Sequence, residues 1–335
     1  MPKSVARLSR RRFLHISAAM PGLALLPVAA GAAPADANLQ IWRGVALGAD
    51  STIQISHADP AEARRLIGLC LDEIHRLEAI FSLYQDDSAI RRLNRLGALA
   101  DPPVELVEVL GMSEGFNRLT GGAFDVTVQP LWELYEAHFS APAPDPNGPP
   151  EARIRDALAR VGHAGLAVDP RRIGFALPGM GITLNGIAQG YATDRVVALL
   201  RREGVERSLV DLGELRAIGS RPGGGPWVVG IEDPARPGWS ARRIELENRA
   251  VSTSGGYGTP FDAAGRFNHI FDPASGHTSF RYRSVSVVAD ASATADAIST
   301  AFCLMPPEAT APIVRSLGLR AYFALDGGGW LVQGG

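Results

Sequence analysis

The stretch that most constrains the fold of this chain is residues 181–194, GITLNGIAQGYATD, near its middle. Ile182 and Leu184 alternate with smaller or polar neighbours, as in a short strand, and Asn185-Gly186 is a turn signal. Apolar residues then recur at helical spacing, so the stretch predicts a strand, a tight turn and a helix. A helix that begins at a glycine turn points free N–H groups at an anion such as a phosphate. An ordinary strand-to-helix connection is the alternative interpretation.

The composition restricts the class of protein. The chain has 335 residues, of which 46% are hydrophobic and 20% are charged, and its formal net charge is −2. These values are typical of a globular protein, and the length allows either two domains or one large domain. Because the charges nearly balance, the composition argues against a surface for nucleic acid or for anionic membranes. We therefore expect no nucleic-acid partner.

Residues 1–33 are predicted to be an export signal. Residues 9–15, SRRRFLH, hold a twin-arginine pair followed by two large apolar residues, and residues 16–30 are weakly apolar. Residues 30–32, AGA, offer the small side chains at which signal peptidases cut. This order is typical of a Tat secretory signal, and the apolar stretch is too short and too rich in proline for a transmembrane helix. We expect a periplasmic protein with its signal removed and no stable membrane insertion.

The chain has two cysteines, Cys70 and Cys303. Both fall in apolar patterns with helical spacing. Export permits a disulfide, but the spacing cannot establish one, and buried free thiols are the favoured interpretation.

The first secondary-structure elements after the signal are predicted from periodicity and capping residues. Residues 39–58 have the alternation of strands. Asp59 then opens a helix, in which Glu62 is placed to complete a capping box. A second helix is expected over 104–119, and an extended segment over 123–128.

The second half of the chain is richer in strands. Its elements are mixed rather than arranged as repeating βαβ units, which favours an α+β fold with a mixed, mostly antiparallel sheet. We therefore predict a single large domain over residues 38–335, with helices packed on that sheet. Further strands are expected at 208–212, 227–231, 243–246, 284–289 and 320–325, and further helices at 151–161, 294–305 and 307–317.

Four separated stretches, taken together, resemble the ApbE family of FAD:protein FMN transferases. Their order and spacing match that family over nearly the whole chain after the signal, and residues 209–219, LVDLGELRAIG, fit between them. The resemblance implies one ApbE domain with a T-fold-like architecture. The four stretches are FSLYQDDSAIRRLN at 81–94, GGAFDVTVQPLWELY at 121–135, GITLNGIAQGYATD at 181–194, and the run from VSTSGGY at 251 through HIFDPASG at 269–276 to ATADAISTAF at 293–302.

The resemblance implies a reaction as well as a fold. Family members bind FAD and Mg²⁺, cleave the pyrophosphate, attach FMN through a phosphoester to a Thr or Ser of a partner protein, and release AMP. The implied partner here is an acceptor protein of a cell-envelope electron-transfer complex. Two alternatives stay open: an FAD pyrophosphatase that yields FMN and AMP, and a non-catalytic flavin-binding accessory protein.

The predicted metal site combines three residues. Asp296 and Thr300 are four residues apart in a predicted helix, so they can present a carboxylate and a hydroxyl to one ion. A structural alternative is that Asp296 caps the helix and Thr300 packs. The resemblance implies that both bind Mg²⁺ together with the backbone carbonyl of Gly186. Ser299 stands where some family members carry a second Asp.

The resemblance also implies a set of FAD-binding residues. Tyr84 matches an aromatic residue that lies against the flavin ring, and a core tyrosine is the alternative. Asp125 belongs to a segment that lines the FAD site, and a loop or strand-edge carboxylate is the alternative. Thr183 and Gln189 replace residues that are often charged in the family and keep only hydrogen bonding. The implied set is Tyr84, Ala123, Phe124, Asp125, Thr183, Gln189 and Ile270.

His269 and Asp296 are the catalytic candidates. His269, in HIFDP, resembles a family histidine implicated in activity. It is expected to act as a general base toward the acceptor hydroxyl or to contact a phosphate. A purely structural histidine is the alternative, because phosphoryl transfer often needs little help from a base.

Overall fold

A computed structural model describes residues 23–25, 38–234 and 236–335. Leu23–Leu25 falls within the predicted signal and forms a short strand, paired antiparallel with residues 229–231. The rest of the predicted signal, including the twin-arginine pair and the expected cleavage region, lies outside the described residues.

The described residues form three antiparallel sheets. The strands are β1 Leu23–Leu25, β2 Leu39–Ala46, β3 Ala49–Ser56, β4 Ala98–Ala100, β5 Leu166–Asp169, β6 Arg172–Phe175, β7 Ser208–Asp211, β8 Leu215–Ile218, β9 Trp227–Asp233, β10 Arg236–Leu246, β11 Ala250–Ser254, β12 Tyr282–Ala289, β13 Arg320–Leu325 and β14 Trp330–Gln333. The main sheet has eight strands in the order β14-β13-β12-β11-β8-β7-β3-β2. Two small sheets, β1-β9-β10 and β4-β6-β5, accompany it.

Eight α-helices occur in the described part of the chain. They are α1 Pro60–Phe81, α2 Ala89–Leu96, α3 Val104–Leu119, α4 Gln129–Phe139, α5 Glu151–Leu158, α6 Ala188–Arg202, α7 Ser292–Phe302 and α8 Pro307–Ser316. None of them combines the length and the apolar character needed to cross a membrane.

Helix α7 lies inside the molecule, between α6 and strands β11 and β12. Its Ile298 and Phe302 are fully buried and share a cluster with Val287 of β12. Since side chains alternate along a strand, the neighbouring Val288 faces the opposite side, where Val229 of the β9–β10 hairpin packs. The polar residues Ser292, Asp296 and Ser299 of α7 are therefore shielded from water by the fold itself.

The predicted α+β class and antiparallel sheet are confirmed, and the helix expected over 104–119 is α3, Val104–Leu119. Of the predicted capping box, only the contact made by Asp59 is present. Asp59 caps α1 by accepting from the N–H of Ala61 at 2.8 Å. Glu62, however, pairs with Arg65, and the N–H of Asp59 donates to Nδ1 of His57.

The predicted strand at residues 181–184 is also wrong. The segment has no strand partner among the described residues, because a side chain takes its place. Asn94 accepts from the N–H of Ile182 and donates to its carbonyl, both at 2.8 Å, while the N–H of Thr183 donates to the carbonyl of Val126 at 2.8 Å. The apolar alternation therefore reflects burial of Ile182 and Leu184 without a ladder of backbone hydrogen bonds.

The extended segment expected over 123–128 ends in a 3₁₀ turn, Val126–Val128. Asp125 causes the change, because its side chain accepts from the N–H of Thr127 and caps the turn. The two cysteines are free and buried, as predicted.

Candidate active site

Helices α6 and α7 meet at Gly190. A β-carbon built on Gly190 would lie 2.5 Å from the carbonyl oxygen of Ser292, so only glycine permits this approach. The contact brings the N–H of Gly190 to within 3.1 Å of Oδ2 of Asp296, to which it donates. The first turn of α6 therefore binds a carboxylate of its own chain, which is the kind of anion that a helix N-terminus favours.

Asp194, one turn further along α6, caps α7. Its Oδ1 accepts from the N–H of Ser292 at 2.8 Å and its Oδ2 from the N–H of Ala293 at 3.0 Å. Arg216 of β8 pairs with the same carboxylate. The structural alternative in which Asp296 caps α7 is therefore wrong, and the Asp296 carboxylate is directed at α6.

Gly186 and Thr300 face each other beside Asp296. A β-carbon on Gly186 would lie 3.1 Å from Oγ1 of Thr300. Together with Asp296, both residues line one cavity. A carboxylate, a hydroxyl and the backbone of a turn are thus brought together, and these oxygen groups are the ligands that hard divalent cations prefer.

We call this cavity the central cleft. Its cavity volume is about 90 Å³. A wider groove continues from it past Ala123 and Asp125. The predicted site residues that line the central cleft are Ala123, Phe124, Asp125, Thr183, Gly186, Gln189, His269, Ile270, Asp296 and Thr300.

Tyr84 is the predicted site residue that the structure does not bring to the central cleft. It follows α1, with its N–H donating to Oγ of Ser82 at 3.1 Å. The residue is 59% exposed, so the alternative of a core tyrosine is wrong. Its contact with a flavin ring stays a prediction.

Two buried carboxyl groups dominate the electrostatics of the cleft. Asp296 is 3% exposed, and burial raises its pKa to about 7, although the hydrogen bond from Gly190 opposes the shift. Glu214, which follows β7, is 2% exposed and lines the same cleft. Burial, and next the charge of Asp296, raise the pKa of Glu214 well above its usual range. Within the described chain, no cationic side chain offsets either charge.

His269 borders the cleft with its ring edge-on to Trp132, at 6.2 Å between centroids. Its Nδ1 is shielded from water and has no hydrogen-bond partner among the described residues. Burial lowers the pKa of His269 to about 4, although the backbone of Thr259 acts in the opposite direction, so the ring is neutral near pH 7. A neutral imidazole with an unused nitrogen can accept a proton or bind a phosphate group.

Asp125 and Gln189 already have protein partners. Oδ1 of Asp125 accepts from the N–H and the hydroxyl of Thr127, at 2.8 and 2.6 Å, and Oδ2 accepts from the N–H of His163 at 3.0 Å. Nε2 of Gln189 donates to the carbonyl of Leu47 at 3.5 Å. The two side chains are therefore held in place at the wall of the cleft before any ligand binds.

The ApbE family model matches residues 47–323 of this chain. The chain belongs to the ApbE family. Its relatives named FAD:protein FMN transferase include the protein of Treponema pallidum, 33% identical over 277 residues that cover 76% of each chain. The relative in Escherichia coli is 30% identical over 256 residues, which cover 73% of this chain and 72% of the relative.

Solved ApbE structures share the fold. The apo form of the Pseudomonas stutzeri flavinyl transferase ApbE superposes with a TM-score of 0.75 at 29% identity, over 88% of this chain and 94% of that one. The ApbE protein of Thermotoga maritima gives 0.78 at 28% identity, over 88% and 97%. The predicted family, its α+β fold and its class of enzyme are therefore confirmed.

The central cleft also has lining residues without a predicted role, among them Glu214 and Trp132. Each lies within a stretch that carries the family resemblance, LVDLGELRAIG for Glu214 and GGAFDVTVQPLWELY for Trp132. The available signal for Glu214 was a carboxylate directly after a glycine turn in a mostly apolar run, where burial of a charge is energetically costly.

Proposed function

We propose that this enzyme transfers FMN from FAD to the hydroxyl of a Thr or Ser residue in an acceptor protein, in a Mg²⁺-dependent reaction that releases AMP. The observation that carries the proposal is the convergence of ten predicted residues on the central cleft. The names of the relatives support the same reaction. We propose a redox protein of the cell envelope as the acceptor.

The residues of the cleft fit a hard divalent cation. Asp296 is a buried carboxyl without a cationic partner in the described chain, and Thr300 and Gly186 add hydroxyl and carbonyl oxygens beside it. No three His, Cys, Asp or Glu side chains of the described residues cluster as a metal site, so these other oxygens are needed. Asp296, Thr300 and the carbonyl of Gly186 would hold Mg²⁺, which neutralises charge on the pyrophosphate when bound.

The reaction exchanges one phosphorus–oxygen bond for another. The acceptor oxygen forms a bond to the phosphorus of the FMN half, and the bond from that phosphorus to the phosphate of AMP breaks. The acceptor hydroxyl must lose its proton. We propose that His269 accepts this proton, because its ring is neutral near pH 7 and its Nδ1 has no protein partner within the described chain.

The walls of the cleft suit the rest of FAD. Phe124 and Ile270 are buried apolar residues at its surface, and Asp125 is a carboxylate with a fixed orientation. Thr183 and Gln189 offer uncharged hydrogen-bonding groups. We therefore expect FAD binding to depend on packing and hydrogen bonds at these walls. Charge is supplied by the proposed Mg²⁺ site of Asp296, Thr300 and the carbonyl of Gly186, which we call the metal corner.

We propose that the enzyme is exported by the Tat pathway and acts in the periplasm without its signal. The support is the order of the twin-arginine pair at residues 9–15, the weakly apolar stretch and the small residues at 30–32. Mass spectrometry of protein from the periplasmic fraction tests this proposal. A mature N-terminus just after residues 30–32 is expected, and an uncleaved chain found only in the cytoplasm would contradict it.

The transferase activity is tested with mature protein, FAD, Mg²⁺ and a periplasmic domain of a membrane redox subunit from the same genome. We expect an acceptor band with flavin fluorescence in the gel and a mass gain of one FMN. EDTA and the variant Asp296→Ala should each abolish the adduct, with FAD binding measured in parallel. Absence of an adduct with every acceptor tried, while FAD still binds, would overturn the transferase proposal.

The two alternatives give different products in the same assay. An FAD pyrophosphatase yields AMP and free FMN without an acceptor. An accessory protein binds FAD and yields neither, and Asp296→Ala then leaves the phenotype of the cell unchanged. The proposed transferase yields AMP in proportion to the acceptor that is modified.

A further inference from the structure

Glu214 is a buried carboxyl in the central cleft that the reaction described above does not use. It follows Gly213, whose φ of 98° turns the chain between β7 and β8. Its Oε2 is shielded from water and has no hydrogen-bond partner among the described residues. An unpaired carboxylate oxygen at such a place is costly unless a ligand or a cation satisfies it.

A chain of hydroxyl groups links Glu214 to Thr300. Ser252 hydrogen-bonds the carboxyl of Glu214, and its Oγ lies 3.2 Å from Oγ of Ser299. Ser299 lies 2.8 Å from Oγ of Ser254, which in turn lies 3.2 Å from Oγ1 of Thr300. We call Ser252, Ser299 and Ser254 the serine chain. It fixes the side chain of a predicted metal ligand and the carboxyl of Glu214 in one network.

The serine chain also explains residue 299. This is the position at which some ApbE family members carry a second Asp, yet Ser299 is fully buried and donates to the carbonyl of Asp296 at 3.0 Å. Its hydroxyl already hydrogen-bonds Ser252, Ser254 and the carbonyl of Asp296. Residue 299 therefore supplies no negative charge in this chain. Glu214, at the other end of the serine chain from Thr300, supplies a carboxyl group to the same cleft.

We propose that Glu214 is the second carboxylate of the metal corner, taking the part that residue 299 cannot take here. This inference rests on the proposed Mg²⁺ site. Glu214 binds the cation through Oε2, directly or through one water molecule, and Ser252 orients it. The mutual repulsion of Glu214 and Asp296, for which no cationic side chain of the described chain compensates, is relieved by the cation.

Mn²⁺ binding to the full mature chain with FAD present tests the proposal, with free Mn²⁺ measured by electron paramagnetic resonance. We expect Glu214→Gln to weaken Mn²⁺ binding at least about tenfold, as removal of a metal ligand or its supporting group does. FAD binding in EDTA, measured by flavin fluorescence, reports separately on whether the cleft is still formed. A Glu214→Gln protein that is folded by circular dichroism and binds Mn²⁺ like the wild type would overturn the inference.

Asp211→Asn is the matched control. Asp211 is an acidic residue three positions away that does not line the cleft, and its Oδ1 accepts from the N–H of Gly213. Loss of the Asp211 charge should leave Mn²⁺ binding unchanged. If both variants weaken Mn²⁺ binding equally, Glu214 acts only through its negative charge and not as a ligand, which would overturn the inference.

Ser252→Ala is an independent variant in case Glu214→Gln does not fold. It keeps the carboxylate and removes its orienting hydrogen bond, so we expect Mn²⁺ binding to weaken by about threefold, and wild-type binding would contradict the inference. If the wild-type protein binds no Mn²⁺ in the presence of FAD, the proposed metal-dependent function itself fails. If the wild type binds Mn²⁺ and the variants do so equally well, only the role of Glu214 fails.

Discussion

Gly186 and Thr300 lie so close that a β-carbon on Gly186 would lie 3.1 Å from Oγ1 and 3.3 Å from Cγ2 of Thr300. Gly186→Ala must therefore displace Thr300 by a few tenths of an ångström or shift the turn. Because small displacements of groups that position a substrate are costly, we expect transfer to slow by about tenfold to a hundredfold while the fold persists. Single-turnover measurement of the flavin adduct gives the rate, and circular dichroism checks the fold.

The control for this change is Gly68→Ala in α1. A β-carbon on Gly68 meets no atom within 4 Å, so that variant should transfer FMN at the wild-type rate. Wild-type transfer by Gly186→Ala as well would show that the turn at Gly186 does not contribute to the reaction.

Gly190→Ala is expected to destabilise the whole domain. The added β-carbon would lie 2.5 Å from the carbonyl oxygen of Ser292 and 2.8 Å from the α-carbon of Ala293, and these backbone atoms cannot move independently of α7. We expect a loss of about 1–3 kcal/mol in the free energy of unfolding, measured in urea. Gly111→Ala in α3, where a β-carbon meets nothing within 4 Å, should instead be neutral or stabilise by about 0.5–1 kcal/mol.

Helix positions were predictable because capping and periodicity are local signals. The sequence pattern places α3 correctly, and the loop that precedes α6 is marked by Asn185 and Gly186. The false strand at 181–184 has a different origin. Its alternating apolar residues are buried as in a strand, but Asn94, almost ninety positions earlier, supplies the hydrogen bonds. A hydrogen-bond partner so distant in sequence cannot be predicted from the local pattern of residues.

The residues of the candidate site were only partly predictable from the sequence. Asp296 and Thr300 share a helix, so their spacing alone brings them together, whereas Gly186 was placed beside them only through the family resemblance. Glu214 was missed because nothing in its own strand turn shows that Asp296 lies close to it. The sequence alone could not decide whether Tyr84 is exposed or in the core, since an aromatic residue near a helix end is compatible with either, and the structure excludes the core.

Stability should depend on pH through His269. Burial lowers its pKa in the folded chain to about 4, below the ordinary value of 6.5, so between these values the unfolded chain binds a proton that the folded chain does not. The contribution of His269 to the free energy of unfolding should therefore fall as pH falls from 6.5 to 4, by about 3 kcal/mol, while the raised pKa values of Asp296 and Glu214 act in the opposite direction. Urea titrations at several pH values measure the slope.

The variant His269→Gln isolates this contribution, because it keeps a hydrogen-bonding group and loses the titration. Relative to the wild type, its free energy of unfolding should rise as pH falls over the same window, because the destabilising contribution of His269 is gone. His75→Gln, on the exposed side of α1, is the control and should keep the wild-type slope. An unchanged slope in His269→Gln would show that the pKa of His269 is not lowered in the folded chain.

Asp194→Asn should destabilise the chain more than an exposed Asp-to-Asn change, because Asp194 both caps α7 and pairs with Arg216, whose side chain is only 12% exposed. Asn keeps one acceptor oxygen for the helix but leaves the Arg216 charge without its partner. We expect the free energy of unfolding to fall by about 2–4 kcal/mol. Asp86→Asn breaks an exposed pair with Arg91 and should cost less than about 1 kcal/mol. Equal costs in the two variants would mean that α7, and with it Asp296, is held in place by apolar packing alone.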